Sequence, residues 1–319
     1  MRATRRSLLG AATLPARSAL AQAAWPNRPV RFIVPFAAGG PVEIPARFVG
    51  DHLSQRMGQP FIVEAKPGAG GALGIQHVAQ ATDQHTILFT TSAVAILPAF
   101  GPQAGFDPLR DFIPITMVLD APMAILARND SRFRDFADMI VQARREPGRI
   151  TFGSSGAGST THLGGELLKV RAGIDMLHIP YRGAAQAVNA LYAGDTDLLV
   201  TGLVETMRHV QGGRLKALCV TGTTRTAALP DVPAGIEIVP DYAMSIWYAM
   251  FAPRGFPDDA IARIAREVAP LARGSALAER MEGLGASLMF DGPAPLQARM
   301  TREVPMWRDL VARAGIRVD

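Results

Sequence analysis

Apolar and polar positions along the chain switch repeatedly between two periods. The apolar run Phe32–Val34 lies in a predicted strand over 30–34, and from Val42 the spacing becomes three and four, through Ala46, Val49, Leu53 and Met57. That spacing predicts a helix over 41–57 with one buried face. Strands are predicted over 60–64 and 86–90 with a helix over 71–81 between them. The theme returns with strands over 149–154, 176–180, 197–201 and 214–221, and helices over 160–171 and 184–193. Such alternation predicts parallel strands joined by right-handed helical crossovers, an α/β fold. From Pro257 onward the pattern is helical, through Ile261, Ile264, Val268 and Leu271 and then Leu296, Met300, Val304, Trp307 and Leu310. Pro305 inside the last series is expected to kink or end that helix. Two α/β units and a helical tail predict two lobes with a cleft between them.

Three corners between a predicted strand and a predicted helix share one character. The first is Phe36-Ala-Ala-Gly-Gly-Pro-Val-Glu43, the second Pro67-Gly-Ala-Gly-Gly-Ala-Leu-Gly74 and the third Ser154-Ser-Gly-Ala-Gly-Ser-Thr160. A helix start offers unpaired backbone N–H groups and the positive end of a dipole. Glycine lets a ligand approach that backbone closely, so a bare corner can hold a carboxylate or phosphate without a basic side chain. Any one of the three also fits a plain tight turn; three in one chain point to a shared anionic ligand.

Other chemistry is poorly supported. Gly68-Ala-Gly70-Gly-Ala-Leu73 has leucine where a dinucleotide fingerprint needs its last glycine, and no Walker lysine is present. Gly153-Ser-Ser155-Gly-Ala157 has alanine where a nucleophile elbow needs glycine. Hydroxyls at a helix start are usually caps, and His162 is expected to pack or bond locally. The corners supply glycine, alanine and backbone rather than an acid, a base or a nucleophile, which suits binding without catalysis. The six histidines have no paired spacing and Cys219 is the single cysteine. Neither a metal nor any other cofactor is therefore expected, and no internal disulfide can form.

Charge is read after the first residues are set aside. Arg5-Arg6 precedes a short apolar stretch, and Ala21-Gln22-Ala23 gives a small-x-small cleavage pattern. Residues 1–23 are expected to be a secretory leader of the twin-arginine kind. Arg2, Arg5, Arg6 and Arg17 leave with it, which takes the formal charge from +5 to +1. No basic cluster remains to form a nucleic-acid footprint. No uninterrupted apolar run approaches the length of about 20 residues that a membrane span needs.

With the corners aligned, the chain resembles the Bug-type extracytoplasmic solute receptors, the binding-protein component of tripartite tricarboxylate transporters. The resemblance runs from about Trp25 to the C-terminus. It rests on Trp25-Pro-Asn-Arg-Pro-Val-Arg-Phe-Ile-Val-Pro-Phe-Ala-Ala-Gly-Gly-Pro41, Gly58-Gln-Pro-Phe-Ile-Val-Glu-Ala-Lys-Pro-Gly-Ala-Gly-Gly71, Phe106-Asp-Pro-Leu-Arg-Asp-Phe-Ile-Pro-Ile115, Pro180-Tyr-Arg-Gly183 and Leu229-Pro-Asp-Val-Pro233. It implies a two-lobed, type II periplasmic binding protein, with lobe 1 formed by 24–122 and 247–319 and lobe 2 by 123–246. It further implies a monomer in the periplasm that closes on a small organic acid and serves membrane permease subunits, or a membrane sensor protein instead.

Carried over position by position, Phe36, Ala38, Gly39, Gly40 and Glu43 would meet the ligand from the first corner, and Pro67, Gly68, Ala69 and Gly70 from the second. Ser92 joins them from lobe 1, and Ser154, Ser155, Thr160, Tyr181 and Gly183 face them from lobe 2. Trp247 stands near the crossing between lobes, either covering the apolar part of the ligand or belonging to the core. Val42-Glu43 replaces the family's usual Thr-Asp at the pocket mouth, and Ala65-Lys66 replaces Asn-Arg. These departures detach ligand identity from that of relatives.

Overall fold

The computed structural model describes residues 25–40 and 42–316; the leader expected over 1–23 and Pro41 lie outside the described residues. The chain begins with strand β1 (Val30–Val34), helix α1 (Glu43–Met57), strand β2 (Phe61–Ala65), helix α2 (Ala72–Ala79) and strand β3 (Thr86–Thr91). A short helix α3 (Ala93–Ile96) follows, then the long strand β4 (Phe112–Arg128) and helix α4 (Phe136–Arg145). The second α/β unit has strand β5 (Thr151–Ser154), helix α5 (Thr160–Ala172), strand β6 (Leu177–Pro180), helix α6 (Ala184–Ala193), strand β7 (Leu198–Gly202), helix α7 (Leu203–Gln211) and strand β8 (Leu215–Val220). The chain then returns along β9 (Ser245–Pro253). It closes with helices α8 (Asp258–Val268) and α9 (Ala276–Gly283), strand β10 (Ser287–Leu288) and helix α10 (Pro293–Ala314).

One sheet, ordered β2-β1-β3-β9-β4-β7-β5-β6, runs through both lobes. The expected parallel pairing holds within each unit, between β1 and its neighbours β2 and β3, and between β5 and its neighbours β6 and β7. The centre departs from it. Strand β9 is antiparallel to β3 and β4, and β4 is antiparallel to β7 and β8, so the predicted 214–221 strand is not part of a parallel crossover. Strand β4 pairs with β9 as far as Pro122↔Ser245 and with β7 from Met123↔Gly202 onward. It therefore belongs to one lobe along its first part and to the other along its last.

The pairing sends the C-terminal ends of β1 and β3 toward one lobe and those of β5 and β7 toward the other, so the corners of the two units converge. Two buried clusters are local to a lobe, and the largest spans both, joining Ile33 and Ile75 to Phe152 and Leu163 around Trp247 and Trp307. Of the two outcomes expected at Pro305, the helix does not end there: α10 continues to Ala314. Only one intrahelical donor is lost to proline there, and Leu296, Met300, Val304, Trp307 and Leu310 still bury one continuous face.

Candidate functional site

Backbone shape builds the lobe 1 wall. Gly39 has φ of +78°, which allows the chain leaving β1 to turn back before α1. In the second corner Gly68, Ala69, Gly70 and Gly71 all have positive φ. The two corners are packed together: a Cβ built on Gly74 would lie 2.6 Å from the Lys66 carbonyl and 2.7 Å from Pro35 Cβ, and one on Gly71 would meet the Phe36 ring at 3.4 Å. Among the described residues the amides of Ala37, Ala38, Gly68, Ala69 and Gly70 have no acceptor. Ala38, Gly39, Pro67, Ala69 and Gly70 are exposed, and Phe36, Gly40 and Gly68 are half-buried.

Glu43, expected to meet the ligand from the first corner, folds back onto that corner. It is buried, and its carboxylate accepts from the Gly39 amide at 2.5 Å and from Arg47 Nε at 2.6 Å. The Gly39 bond and, second, the Arg47 bond hold its carboxyl below the usual carboxylate range. One N–H of the first corner is thereby taken by the protein's own acid. Val42 is likewise buried and packs with Ala46 and Val49 in the lobe 1 core.

The lobe 2 wall is held by side chains. Ser159 caps α5 by accepting from the His162 amide, as the hydroxyl-rich corner predicts. The Ser155 amide donates to Thr161 Oγ1 at 2.9 Å, the Gly156 amide to Ser154 Oγ at 3.2 Å and the Gly158 amide to His162 Nδ1 at 3.0 Å. The expectation of several open amides at this corner is corrected accordingly: polar side chains satisfy three of them. The Tyr181 amide donates to the Ser154 carbonyl and the Gly183 amide to the Ser155 carbonyl, which ties the 181–183 turn to the corner.

Beneath the corner, His162 and His178 stack with ring centroids 3.7 Å apart, and His178 Nε2 lies 2.7 Å from the buried Ser154 Oγ. Burial lowers the basicity of both rings, to about 4 for His162 and about 3 for His178. Sequence reasoning left His178 unassigned because its partner, Ser154, is set by the β5–β6 pairing and not by spacing.

The lobes meet at Ser92 Oγ and Thr160 Oγ1, 3.4 Å apart. Ser92 is fully buried and its amide donates to the Trp247 carbonyl at 2.9 Å. Of the two roles open to Trp247 the structure has the core one: it is 0% exposed and its Nε1–H donates to Glu303 Oε2 at 2.9 Å. Lys66, the cation nearest the second corner, makes no ion pair among the described residues. Among those residues no group of three or more His, Cys, Asp or Glu is placed to hold a metal ion, and no helix is long and apolar enough to cross a membrane. Cys219 is buried, and burial raises its thiol far above the ordinary value.

A two-lobed α/β chain whose glycine corners converge from both sides has the form of a binding protein that encloses a small molecule. The chain belongs to the tripartite tricarboxylate transporter family receptors (TctC), whose family model matches residues 45–289. It is 33% identical over 291 residues to a UPF0065 protein of the tcbD-tcbE intergenic region of Pseudomonas sp. strain P51, covering 90% of this chain and 87% of that one. Among solved structures it is similar to the periplasmic binding protein BugD, with TM-score 0.75, 32% identity and coverage of 92% of this chain and 99% of that one. The R. palustris protein Rpa4515, solved with adipate, matches with TM-score 0.78 and 28% identity, over 92% of this chain and 99% of that one.

Proposed function

We propose that this chain is an exported receptor that closes its two lobes on a small organic carboxylate and presents it to the membrane subunits of a tripartite transporter. The single observation that carries this reading is the set of amides at Ala37, Ala38, Gly68, Ala69 and Gly70 that have no acceptor among the described residues, across from the lobe 2 corner. Backbone donors with no acceptor among the described residues suit an anion, which gains charge-assisted hydrogen bonds without immobilising a flexible cation. The adipate held by the R. palustris relative supports a carboxylate in particular.

In this reading the lobe 1 wall is Phe36, Ala38, Gly39, Gly40, Pro67, Gly68, Ala69 and Gly70, and Ser154, Ser155, Thr160, Tyr181 and Gly183 close from lobe 2. The lobes, 24–122 with 247–319 and 123–246, rotate about the crossing strands. Export rests on the leader pattern in residues 1–23 and on the family. The test is a thermal-shift series with mono-, di- and tricarboxylates, adipate included. A ligand at about 100 times its Kd should add roughly 2.7 kcal/mol of stability. Equal shifts with uncharged amide analogues would contradict the carboxylate reading.

A further inference from the structure

A buried charge network joins α10 to both strands that pass between the lobes. Asp120 and Trp247 face each other in the β4–β9 pairing, two residues from the point where β4 changes partner. The Arg299 guanidinium donates to Asp120 Oδ2 at 2.7 Å, to Ser245 Oγ at 2.5 Å and to Glu303 Oε1 at 2.7 Å. One side chain thus grips β4, β9 and its own helix. Glu303 carries the connection onward, since its second oxygen accepts the Trp247 indole N–H. The Trp247 carbonyl in turn accepts from Ser92, whose hydroxyl lies against Thr160 of the other lobe. The side chains of Arg299 and Glu303 are only 13% and 8% exposed.

A buried ion pair is costly to desolvate and is weak evidence for stability, but it does fix geometry where partners must keep one register. The network also lines a crevice of about 480 Å³ whose other walls include the 221–227 loop of lobe 2 and the 285–289 segment and α10 of lobe 1. No corner residue lines it. A rotation of one lobe against the other about Pro122 and Ser245 must strain or remake the Arg299–Ser245 contact, because Asp120 and Glu303 lie in lobe 1 with Arg299 and hold its guanidinium there.

We infer that Arg299 and Glu303 are positioning residues for ligand binding: they set the resting angle between the lobes and so the fraction of molecules competent to close. This rests on the reading above that the lobes close on a carboxylate. If only a fraction of molecules is competent, the apparent Kd rises as the reciprocal of that fraction.

The experiment places spin labels on cysteines at Gln80 in lobe 1 and Arg145 in lobe 2, both exposed, and measures the interlobe distance without ligand. Cys219 is buried and stays unlabelled. Glu303→Gln keeps an acceptor for Trp247 but removes the charge that faces Arg299, and Arg299→Met removes the grip on both strands. The expected result is one narrow distance for the parent and a broadened or displaced distribution for both variants. Calorimetry with adipate should show at least about fivefold weaker binding in Glu303→Gln, the low end of a coupling between distant groups. A lowered Tm with parent-like distance and Kd in both variants would overturn the inference and leave the network a brace. If Arg299→Met does not fold, Glu303→Gln decides alone. Failure of the parent to bind adipate counts against the functional reading, whereas the distances, needing no ligand, still decide the role of the network.

Discussion

The carboxylate of Glu43 sits on the amide of Gly39, 2.5 Å away, and shuts one of the donors of the first corner. The corner is therefore tuned from within: an acid four residues downstream takes one N–H and leaves those of Ala37 and Ala38 without an acceptor among the described residues.

Glu43 has a folded-state carboxyl below its ordinary value of about 4.5, owing first to the Gly39 amide and then to Arg47. Its contribution to stability is fully present above that ordinary value and is lost as pH falls through the folded one. The Tm gap between the parent and Glu43→Gln should be widest near neutral pH and close on acidification. A gap that widens toward acid would contradict this bond.

The stacked His162–His178 pair has the opposite chemistry and the same direction. Folding lowers both proton affinities, so between about 6.5 and about 4 the unfolded chain binds more protons and acid favours unfolding. His178→Phe keeps a ring on His162 but cannot be protonated. Its Tm should fall less steeply than the parent's from pH 6.5 to pH 4; equal slopes would show that the pair does not carry the acid sensitivity.

Gly74 is required by close approach and not by its backbone angle. A methyl there meets the Lys66 carbonyl and Pro35 at under 3 Å, so Gly74→Ala must part the two corners. Overpacking of this kind costs about 1–3 kcal/mol. Urea denaturation should report that loss and carboxylate binding should weaken with it. A neutral variant with parent-like affinity would mean that the corners are not held in register there.

Val42 lies in the core, where a hydroxyl without a partner costs about 1–3 kcal/mol. Val42→Thr should lower stability without changing the order of preference among carboxylates in a thermal-shift series. A reordered series would put position 42 in the pocket.

The period of apolar residues made the α/β units legible, and glycine clusters at strand-to-helix junctions marked all three corners. The crossing strands were hidden for identifiable reasons. Pro114 and Pro122 interrupt β4, yet its register slips beside Pro114 and its partner changes at Pro122, so each proline falls where ladder hydrogen bonding is already broken. Strand β9 is buried on both faces and shows no alternation to read. Contacts that depend on strand register, such as Ser154 with His178, have no local signature. Glu43 was legible as an acid near the site, but not as one folded back onto its own loop.

The central claim is that the ligand is an anion held mainly by backbone amides, and calorimetric titration of adipate into Gly40→Val and Lys66→Ala tests it most directly. A Cβ on Gly40 would lie 3.0 Å from the Ala37 carbonyl, so a branched side chain there must displace the loop that presents the Ala37 and Ala38 amides. Lys66 makes no ion pair among the described residues, and an exposed or half-exposed charge contributes about 0–1 kcal/mol, at most about fivefold in Kd. The account predicts no measurable binding to Gly40→Val and near-parent affinity in Lys66→Ala. Binding retained by Gly40→Val and lost in Lys66→Ala would contradict it.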